Sequence, residues 1–145
     1  MNNKEDRKLD SVVYSFSARW NDALCSGSVH VFFRKRRPKT DPRFVFLYVG
    51  FPVKKIIGFA EVKSIAAIDL NRAIQLKDQA AIEEKELIKY IGPDSSVFAI
   101  QISGPKIFAK PFDLEALNQR FGFHPPQSFS KLNAEMFDHL TGSDQ

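Results

Sequence analysis

The segment formed by residues 27–48 constrains the fold more than any other stretch of this chain. It holds two strand-like apolar runs, residues 29–36 and 44–49, on either side of a loop that Pro38 and Pro42 bound. Because proline lacks the backbone N–H that a central strand uses, the pattern predicts two strands joined by a connection outside the sheet. The run 44–49 is continuously apolar, which is typical of a strand that is covered on both faces.

The loop between these two runs is strongly basic. Six of the ten residues 34–43 are lysine or arginine, and only Asp41 opposes them. The chain as a whole has a net charge of +4, but residues 29–63 hold nine basic side chains against two acidic ones. Cationic side chains on a loop anchored by strands offer a polyanion several contacts at a small entropic cost. The pattern indicates a nucleic-acid-binding surface, and a loop whose charges merely face solvent is the alternative.

The other apolar runs are short and alternate between strand and helix patterns. Strands are predicted at residues 12–17, 29–36, 44–49, 56–65, 97–102 and 106–112, the last two as a hairpin. Helices are predicted at residues 18–26, between 69 and 91, at 114–121 and around 132–140. This order predicts a mostly β, α+β fold: a small barrel of about six strands with short helices covering its openings.

Several local signals refine this prediction. Ser17 is expected to cap the first helix, and Gly58 to mark a bulge or a close backbone approach within a strand. In the helix ending at Ile91 the expected buried stripe is Leu87, Ile88, Tyr90 and Ile91, and its Glu/Lys face is expected to be solvated. Leu132, Met136 and Leu140 are expected to line up on the last helix.

Composition bounds the domain count and the compartment. The 145 residues predict a single domain, 1–145, frayed at about 1–10 and 141–145. A single cysteine, Cys25, allows no intramolecular disulfide, and no signal-peptide or membrane-span pattern occurs, so a cytoplasmic protein is expected. The three histidines are far apart and no phosphate-binding glycine loop occurs, so neither a metal nor a cofactor is expected.

Three stretches resemble the ASCH family of the PUA-like superfamily. YSFSARWNDALCSG (14–27) resembles the family's opening strand and helix, and YVGFPVKKIIGFAEV (48–62) resembles its following strands. GSVHVFFRKRRP (27–38) resembles its signature, a glycine followed by lysine two positions on and arginine seven positions on. The resemblance covers roughly residues 12–112. It implies a compact β-barrel linked to RNA and modified-nucleic-acid biology, like short bacterial and phage regulators of this type.

The signature is incomplete in this chain. Gly27 and Arg34 stand at the expected spacing, but Val29 replaces the lysine. Family members that hydrolyse acetylated cytidine use that lysine, a threonine three residues later and a glutamate, and Phe32 and Glu61 stand in the last two places here. Valine cannot act as a base, and phenylalanine has no hydroxyl to activate. The resemblance therefore implies the fold and an arginine within the cleft, and we expect a protein without that enzymatic activity.

The leading hypothesis is a non-catalytic module that binds RNA or another single-stranded nucleic acid, with a regulatory role as one option. Duplex DNA is less favoured because no helix rich in base-reading residues is visible. The predicted nucleic-acid-binding residues are Ser17, Trp20, Phe32, Arg34, Lys35, Arg36, Arg37, Lys39, Arg43, Lys54 and Lys55. Cations among them would contact phosphates, and Trp20 or Phe32 would support an unstacked base.

Two other functions remain open at this point. A small hydrolase acting on a modified nucleoside would depend on Ser15, Ser17, Tyr48 or Glu61. A regulatory protein could instead dock its basic loop on an acidic protein partner, since a loop of cations suits both kinds of polyanion. In the stretch HPPQSF, Gln127 and Ser128 could line a cleft, or the two prolines could simply stiffen the approach to the last helix. The sequence does not indicate an oligomeric state.

Overall fold

A computed structural model describes residues 10–94 and 96–142. Within these residues the strands are β1 (Ser11–Phe16), β2 (Val31–Arg34), β3 (Phe44–Val49), β4 (Lys55–Asp69), β5 (Ser96–Ile102), β6 (Lys106–Asp113) and β7 (Phe129–Lys131). The α-helices are α1 (Asn21–Cys25), α2 (Leu70–Gln75), α3 (Glu84–Ile91), α4 (Leu114–Phe121) and α5 (Ala134–Thr141). Single 3-10 turns cover Ala18–Trp20, Lys77–Ala80 and Gly92–Asp94. Most of the predicted fraying lies in residues 1–9 and 143–145, outside the described part of the chain.

The strands form one sheet in the order β2-β5-β4-β3-β1-β7, and β6 also pairs with β4. The β1–β3 pair is parallel, and the other pairs are antiparallel. The long strand β4 organises the sheet because it changes partners along its length. Its first part lies between β3 and β6, whereas its second part pairs with β5.

Gly58 marks the point where β4 is crowded. The ladders on both sides of it shift register here, opposite Leu47–Tyr48 of β3 and between Ile56 and Gly58 opposite β6. A Cβ atom on Gly58 would lie 2.3 Å from the carbonyl oxygen of Lys106. The sequence-based prediction of a bulge or a close backbone approach is therefore confirmed.

Strand β3 is buried on both of its faces, as its continuous apolar run predicted. Leu47 and its alternate neighbours pack with Phe32 and Ile100 in one cluster, while Phe46 packs with α4 and α5 in another. Leu132, Met136 and Leu140 are all buried in that second cluster. Met136 and Leu140 lie on α5 as predicted, whereas Leu132 precedes the N-cap Asn133 and so is not on the helix. A third cluster lies beneath α2 and α3.

The α+β fold with short helices is confirmed, and the described sheet has seven strands and stays open rather than closing into a barrel. The added strand is β7, which pairs with Val12–Tyr14 of β1. The Ser15 N–H also donates to the Ser128 carbonyl at 3.1 Å. Strand β1 therefore pairs with β3 on one side and with β7 on the other. Strand β2, at the opposite end of the sheet, cannot form a backbone ladder with β1.

Three local predictions are wrong. β5 and β6 do not form a hairpin with each other, because β5 inserts between β2 and β4 while β6 pairs with the first part of β4. The Ser17 side chain makes no capping hydrogen bond. On α3 only Leu87 and Ile91 are buried, whereas Ile88 is 43% and Tyr90 39% exposed.

Among the described residues, the helices are all too short or too polar to cross a lipid bilayer.

Candidate nucleic-acid-binding cleft

Two adjoining cavities lie where β2 comes close to β1. The smaller cavity, of about 190 Å³, is called here the aromatic pocket, and its lining includes Phe16, Ser17, Arg19, Trp20, Phe32 and Glu86. The larger cavity, of about 720 Å³, is called the polar cleft, and its lining includes Ser15, Lys35, Arg36, Gln127, Ser128 and Phe129. Arg34 and Tyr90 line both cavities, so the two form one continuous concave surface.

Arg34 lies at the centre of this surface. It bridges the gap between β1 and β2, which share no backbone ladder and whose gap is called here the seam. It is the last residue of β2, and its guanidinium donates to the Ser15 carbonyl of β1 at 3.1 Å and to the Phe33 carbonyl at 3.0 Å. Its Cζ atom lies 4.7 Å from the ring centroid of Phe16 and 5.1 Å from that of Phe32. Burial lowers the pKa of Arg34 from its usual value, but an arginine side chain in a protein stays protonated.

No carboxylate forms an ion pair with Arg34 anywhere in residues 10–94 or 96–142. The charge is instead stabilised by two carbonyl oxygens and by the faces of aromatic rings. A partly buried cation without an anionic partner attracts an anion strongly, because its charge is poorly screened by water.

Tyr14 forms part of the floor behind Arg34. Its ring makes an edge contact with Phe32, at 5.1 Å between centroids. The hydroxyl is buried and has no hydrogen-bond partner among the described residues. Burial raises the pKa of Tyr14 to about 12, and the charges of Arg34 and Arg37 act in the opposite direction. Tyr14 is therefore a neutral phenol at physiological pH.

Helix α3 supplies one wall of the aromatic pocket. Glu86 and Tyr90 are four residues apart and so lie on one helix face, while Leu87 and Ile91 anchor the helix in the core. Sequence reasoning missed this wall, because it assigned Tyr90 to the core and the charged face to solvent. The sequence shows the i, i+4 spacing of Glu86 and Tyr90, but it does not show which cavity this helix face borders.

The opposite wall is formed by the turn that follows β1. The Arg19 guanidinium lies 4.2 Å from the ring centroid of Trp20, and it forms an ion pair with Glu86 at 2.7 Å. This pair connects the two walls across the pocket. Both charged side chains remain nearly half exposed, with 46% and 43% of their surfaces accessible, so a ligand can approach them from solvent.

Only some cations of the basic loop line the polar cleft. Lys35 and Arg36 are exposed and line the polar cleft. Arg37 instead organises the loop, since its Nε donates to the Pro38 carbonyl at 3.0 Å and its guanidinium pairs with Asp41. Pro38 and Pro42 are buried. Lys39 and Arg43 are exposed and line neither cavity.

Lys54 lies in the β3–β4 turn and Lys55 begins β4, and neither residue lines either cavity. Lys55 pairs with Asp113 at 3.4 Å. The turn reaches the cleft end of β1, because the Gly50 N–H donates to the Phe16 carbonyl at 2.9 Å. Of the predicted binding residues, the structure therefore brings together Ser17, Trp20, Phe32, Arg34, Lys35 and Arg36 around the two cavities.

The strip that precedes β7 forms the far side of the polar cleft. Gln127 and Ser128 line it, as one interpretation of the HPPQSF stretch predicted. The Ser15 hydroxyl donates to the Pro126 carbonyl at 2.6 Å and so ties this strip to β1. The strip and the basic loop thus face each other across the cleft.

The residues at the amidohydrolase positions do not form a site. Val29 is fully buried and Phe32 is only 4% exposed, so both belong to the core. Glu61 is exposed and lines a separate cavity of about 300 Å³ with Ser103 and Lys106. Among the described residues, no three His, Cys, Asp or Glu side chains are grouped where they could hold a metal ion.

No protein-family model matches the chain. A protein of Zymomonas mobilis named ASCH domain-containing ribonuclease is 30% identical over 134 residues, which cover 90% of this chain and 88% of that protein. The chain belongs to the ASCH domain family. The crystal structure of ASCH from Zymomonas mobilis agrees, with a TM-score of 0.84 and 28% identity over 94% of this chain and 96% of that one.

A more distant structure shares only the fold. The N-terminal domain of Staphylothermus marinus McrB has a TM-score of 0.61 at 8% identity, over 92% of this chain and 93% of that one. The ASCH resemblance noted from three short stretches is thus confirmed, and with it the PUA-like fold, here with an open sheet.

Proposed function

We propose that this ASCH domain binds single-stranded RNA in the continuous surface formed by the polar cleft and the aromatic pocket. The observation that carries the proposal is that Arg34 and Tyr90 line both cavities. A strand of RNA can therefore place a phosphate at the cations and the adjoining base at the aromatic rings. The Zymomonas relative, named a ribonuclease, supports RNA as the ligand class.

The phosphate side of the proposed site is the edge of β2 and the start of the basic loop. Lys35 and Arg36 project into the polar cleft and meet the backbone from solvent, while Arg34 offers a guanidinium held in place by two carbonyl oxygens. Such a fork suits the planar, bidentate recognition of a phosphate. Lys39 and Arg43 extend the same charge along the loop and contribute to steering the strand to the cleft.

The base side is the aromatic pocket. Trp20 and Tyr90 stand on opposite walls, and Phe16 and Phe32 close the floor. Aromatic rings bind bases through their π-faces, which are available only when a base is unstacked from its neighbours. This requirement favours single-stranded RNA over a duplex.

Fluorescence anisotropy with labelled single-stranded RNA, single-stranded DNA and duplex DNA across a salt series tests the proposal. We expect the tightest binding to single-stranded RNA, with an affinity that falls steeply as salt rises. The double variant Lys35→Glu with Arg36→Glu is expected to lower the affinity by roughly a thousandfold at low salt. The matched control is Lys106→Glu with Lys110→Glu, two exposed lysines of β6. An equal loss in both variants would reduce the binding to non-specific charge attraction, and the proposal would fail.

RNA cleavage is a second candidate, favoured by the chemistry of the polar cleft and by the name of the relative. In such a reaction the ribose 2′-oxygen attacks the neighbouring phosphorus, and the 5′-oxygen of the next nucleotide leaves with a proton. Arg34 and Arg36 would stabilise the charge that develops on the phosphate oxygens, and Lys35 or Tyr90 would move the protons. This chemistry does not use the amidohydrolase positions that Val29 and Phe32 occupy.

Cleavage is tested with end-labelled RNA and with the same strand carrying 2′-deoxyribose throughout. We expect the RNA to be cut, the deoxy strand to bind without being cut, and Lys35→Ala to slow cleavage more than it weakens binding. Intact RNA after prolonged incubation would leave binding alone as the function.

A further inference from the structure

We infer that Glu86 makes the aromatic pocket selective for guanine, so that the RNA-binding site holds a guanosine at this position. This inference deepens the proposed RNA binding and rests on it. It arises from a charged group of the pocket that the phosphate and stacking contacts do not use, namely the Glu86 carboxylate, which extends from α3 and pairs with Arg19.

The size of the pocket suits one base. Its volume of about 190 Å³ is smaller than the range of roughly 300–1,000 Å³ that is typical of sites for larger ligands. Trp20 and Tyr90 on its two walls offer stacking surfaces, but stacking hardly distinguishes one base from another because every base has a π-face. Any selectivity must come from the polar groups of the lining.

Glu86 is the only acidic side chain in the described lining of the pocket. Its ion pair with Arg19 holds the carboxylate at the mouth, between the two walls. An ionised carboxylate only accepts hydrogen bonds, and its two oxygens can accept two parallel ones. The ligand edge that best satisfies it has two adjacent N–H donors.

Guanine is the base that presents such an edge. Its N1–H and N2–H₂ groups lie side by side on the Watson–Crick edge and match the two carboxylate oxygens. Adenine and cytosine place a ring nitrogen acceptor beside their amino group, and uracil flanks its single N–H with two carbonyl oxygens. With those bases one carboxylate oxygen faces an acceptor, so the second hydrogen bond is lost and the two lone pairs repel each other.

Arg19 can supply hydrogen-bond donors to the same base. It carries donors only, so it can bind the O6 and N7 acceptors of guanine, the pairing by which arginine most often reads this base. Arg19 already lies beside both Trp20 and Glu86 in the free protein. A base that enters the pocket therefore meets an acceptor and a donor group that are held together before binding.

The test uses four fluorescent RNA nonamers of uridine whose central residue is guanosine, adenosine, cytidine or uridine. For the unaltered protein we expect the guanosine strand to bind about tenfold more tightly than the uridine strand, as for a good bidentate pair. A fifth strand with central inosine, which lacks the N2 amino group, should lose most of this advantage. Glu86→Gln should bring the guanosine-to-uridine ratio close to one, because an amide offers one acceptor and turns its N–H₂ toward a guanine donor.

The matched control is Glu84→Gln, on the exposed first turn of the same helix and outside the pocket, which should keep the ratio of the unaltered protein. Equal affinities for the four strands, or an unchanged guanosine preference in Glu86→Gln, would overturn the guanine inference while leaving RNA binding intact. Binding of none of the strands would overturn the proposed RNA binding and the guanine inference together.

Discussion

The Arg34 guanidinium donates a hydrogen bond to the Ser15 carbonyl at 3.1 Å and so joins two strands that share no backbone ladder. The seam between β1 and β2 stays open because β7 occupies the edge of β1 that β2 would need. Arg34 thus links β1 to β2 at the place where the two cavities meet. This dual position links the stability of the fold to the proposed site.

Arg34→Ala should therefore lower both stability and RNA affinity. The substitution removes the donor to two backbone carbonyl groups and the contacts with Phe16 and Phe32. We expect a loss of about 1–3 kcal/mol in the free energy of unfolding, measured by urea denaturation. Arg36→Ala is the control, since this exposed side chain should change stability by less than about 0.5 kcal/mol. Equal stabilities of the two variants would show that Arg34 does not secure the seam.

Trp20→Ala should weaken RNA binding without changing its salt dependence. An indole that stacks on a base contributes about 1–3 kcal/mol and neutralises no phosphate. The control is Phe51→Ala at the β3–β4 turn, because Phe51 is 82% exposed but lines neither cavity. Anisotropy titrations at several salt concentrations separate the two effects. A similar loss of affinity in Phe51→Ala would move the base contact out of the aromatic pocket.

Arg37→Ala should loosen the basic loop more than Lys39→Ala does. Arg37 donates to the Pro38 carbonyl and pairs with Asp41, whereas Lys39 is exposed and lines neither cavity. We expect about 1 kcal/mol less stability for Arg37→Ala, because exposed ion pairs and single hydrogen bonds each contribute modestly. Hydrogen exchange across residues 35–43 measures the loosening directly. Identical exchange in the two variants would contradict an organising role for Arg37.

Gly58→Ala should destabilise the β4–β6 pairing. The new Cβ would lie 2.3 Å from the Lys106 carbonyl oxygen and 3.0 Å from Ile107 Cα, so backbone must move. We expect a loss of about 1–3 kcal/mol, seen as a lower melting temperature. Gly104→Ala is the matched control, since its nearest neighbour is the His30 ring at 3.9 Å. Unchanged melting of Gly58→Ala would disprove the close approach.

Tyr14 should make the fold sensitive to alkaline pH. Its pKa rises from 10.0 to about 12 on folding because burial disfavours the phenolate. The neutral phenol therefore contributes its full stabilisation below pH 10, and that contribution is lost as pH rises through about 12. The free energy of unfolding should fall by roughly 2–3 kcal/mol across this window. Tyr14→Phe should show a smaller fall, and part of it remains because burial also raises the pKa of Tyr48. Equal pH profiles would exclude Tyr14 as the cause.

Much of the fold could be predicted because its signals are local. The unbroken apolar run of β3 reflects burial on two faces, and the spacing of Met136 and Leu140 reflects the buried face of α5. The glycine at position 58 reflects a backbone with no room for a side chain. Such patterns show which residues of a segment are buried, but they do not show which other segments cover them. The chain's own periodicity therefore determined its elements, and short family-like stretches pointed to its fold.

Only the tertiary structure decided which segments meet. The three-residue strand β7 carries too weak a pattern to be seen in the sequence, yet its pairing with β1 keeps the sheet open. The partners of β5 and β6 depend on β4, whose length lets it pair with different strands along its course. Glu86 lines the same pocket as Trp20 and Arg34 only because Leu87 and Ile91 pack α3 against β2. Contacts between distant segments depend on the packing of the whole chain, so no local pattern contains them.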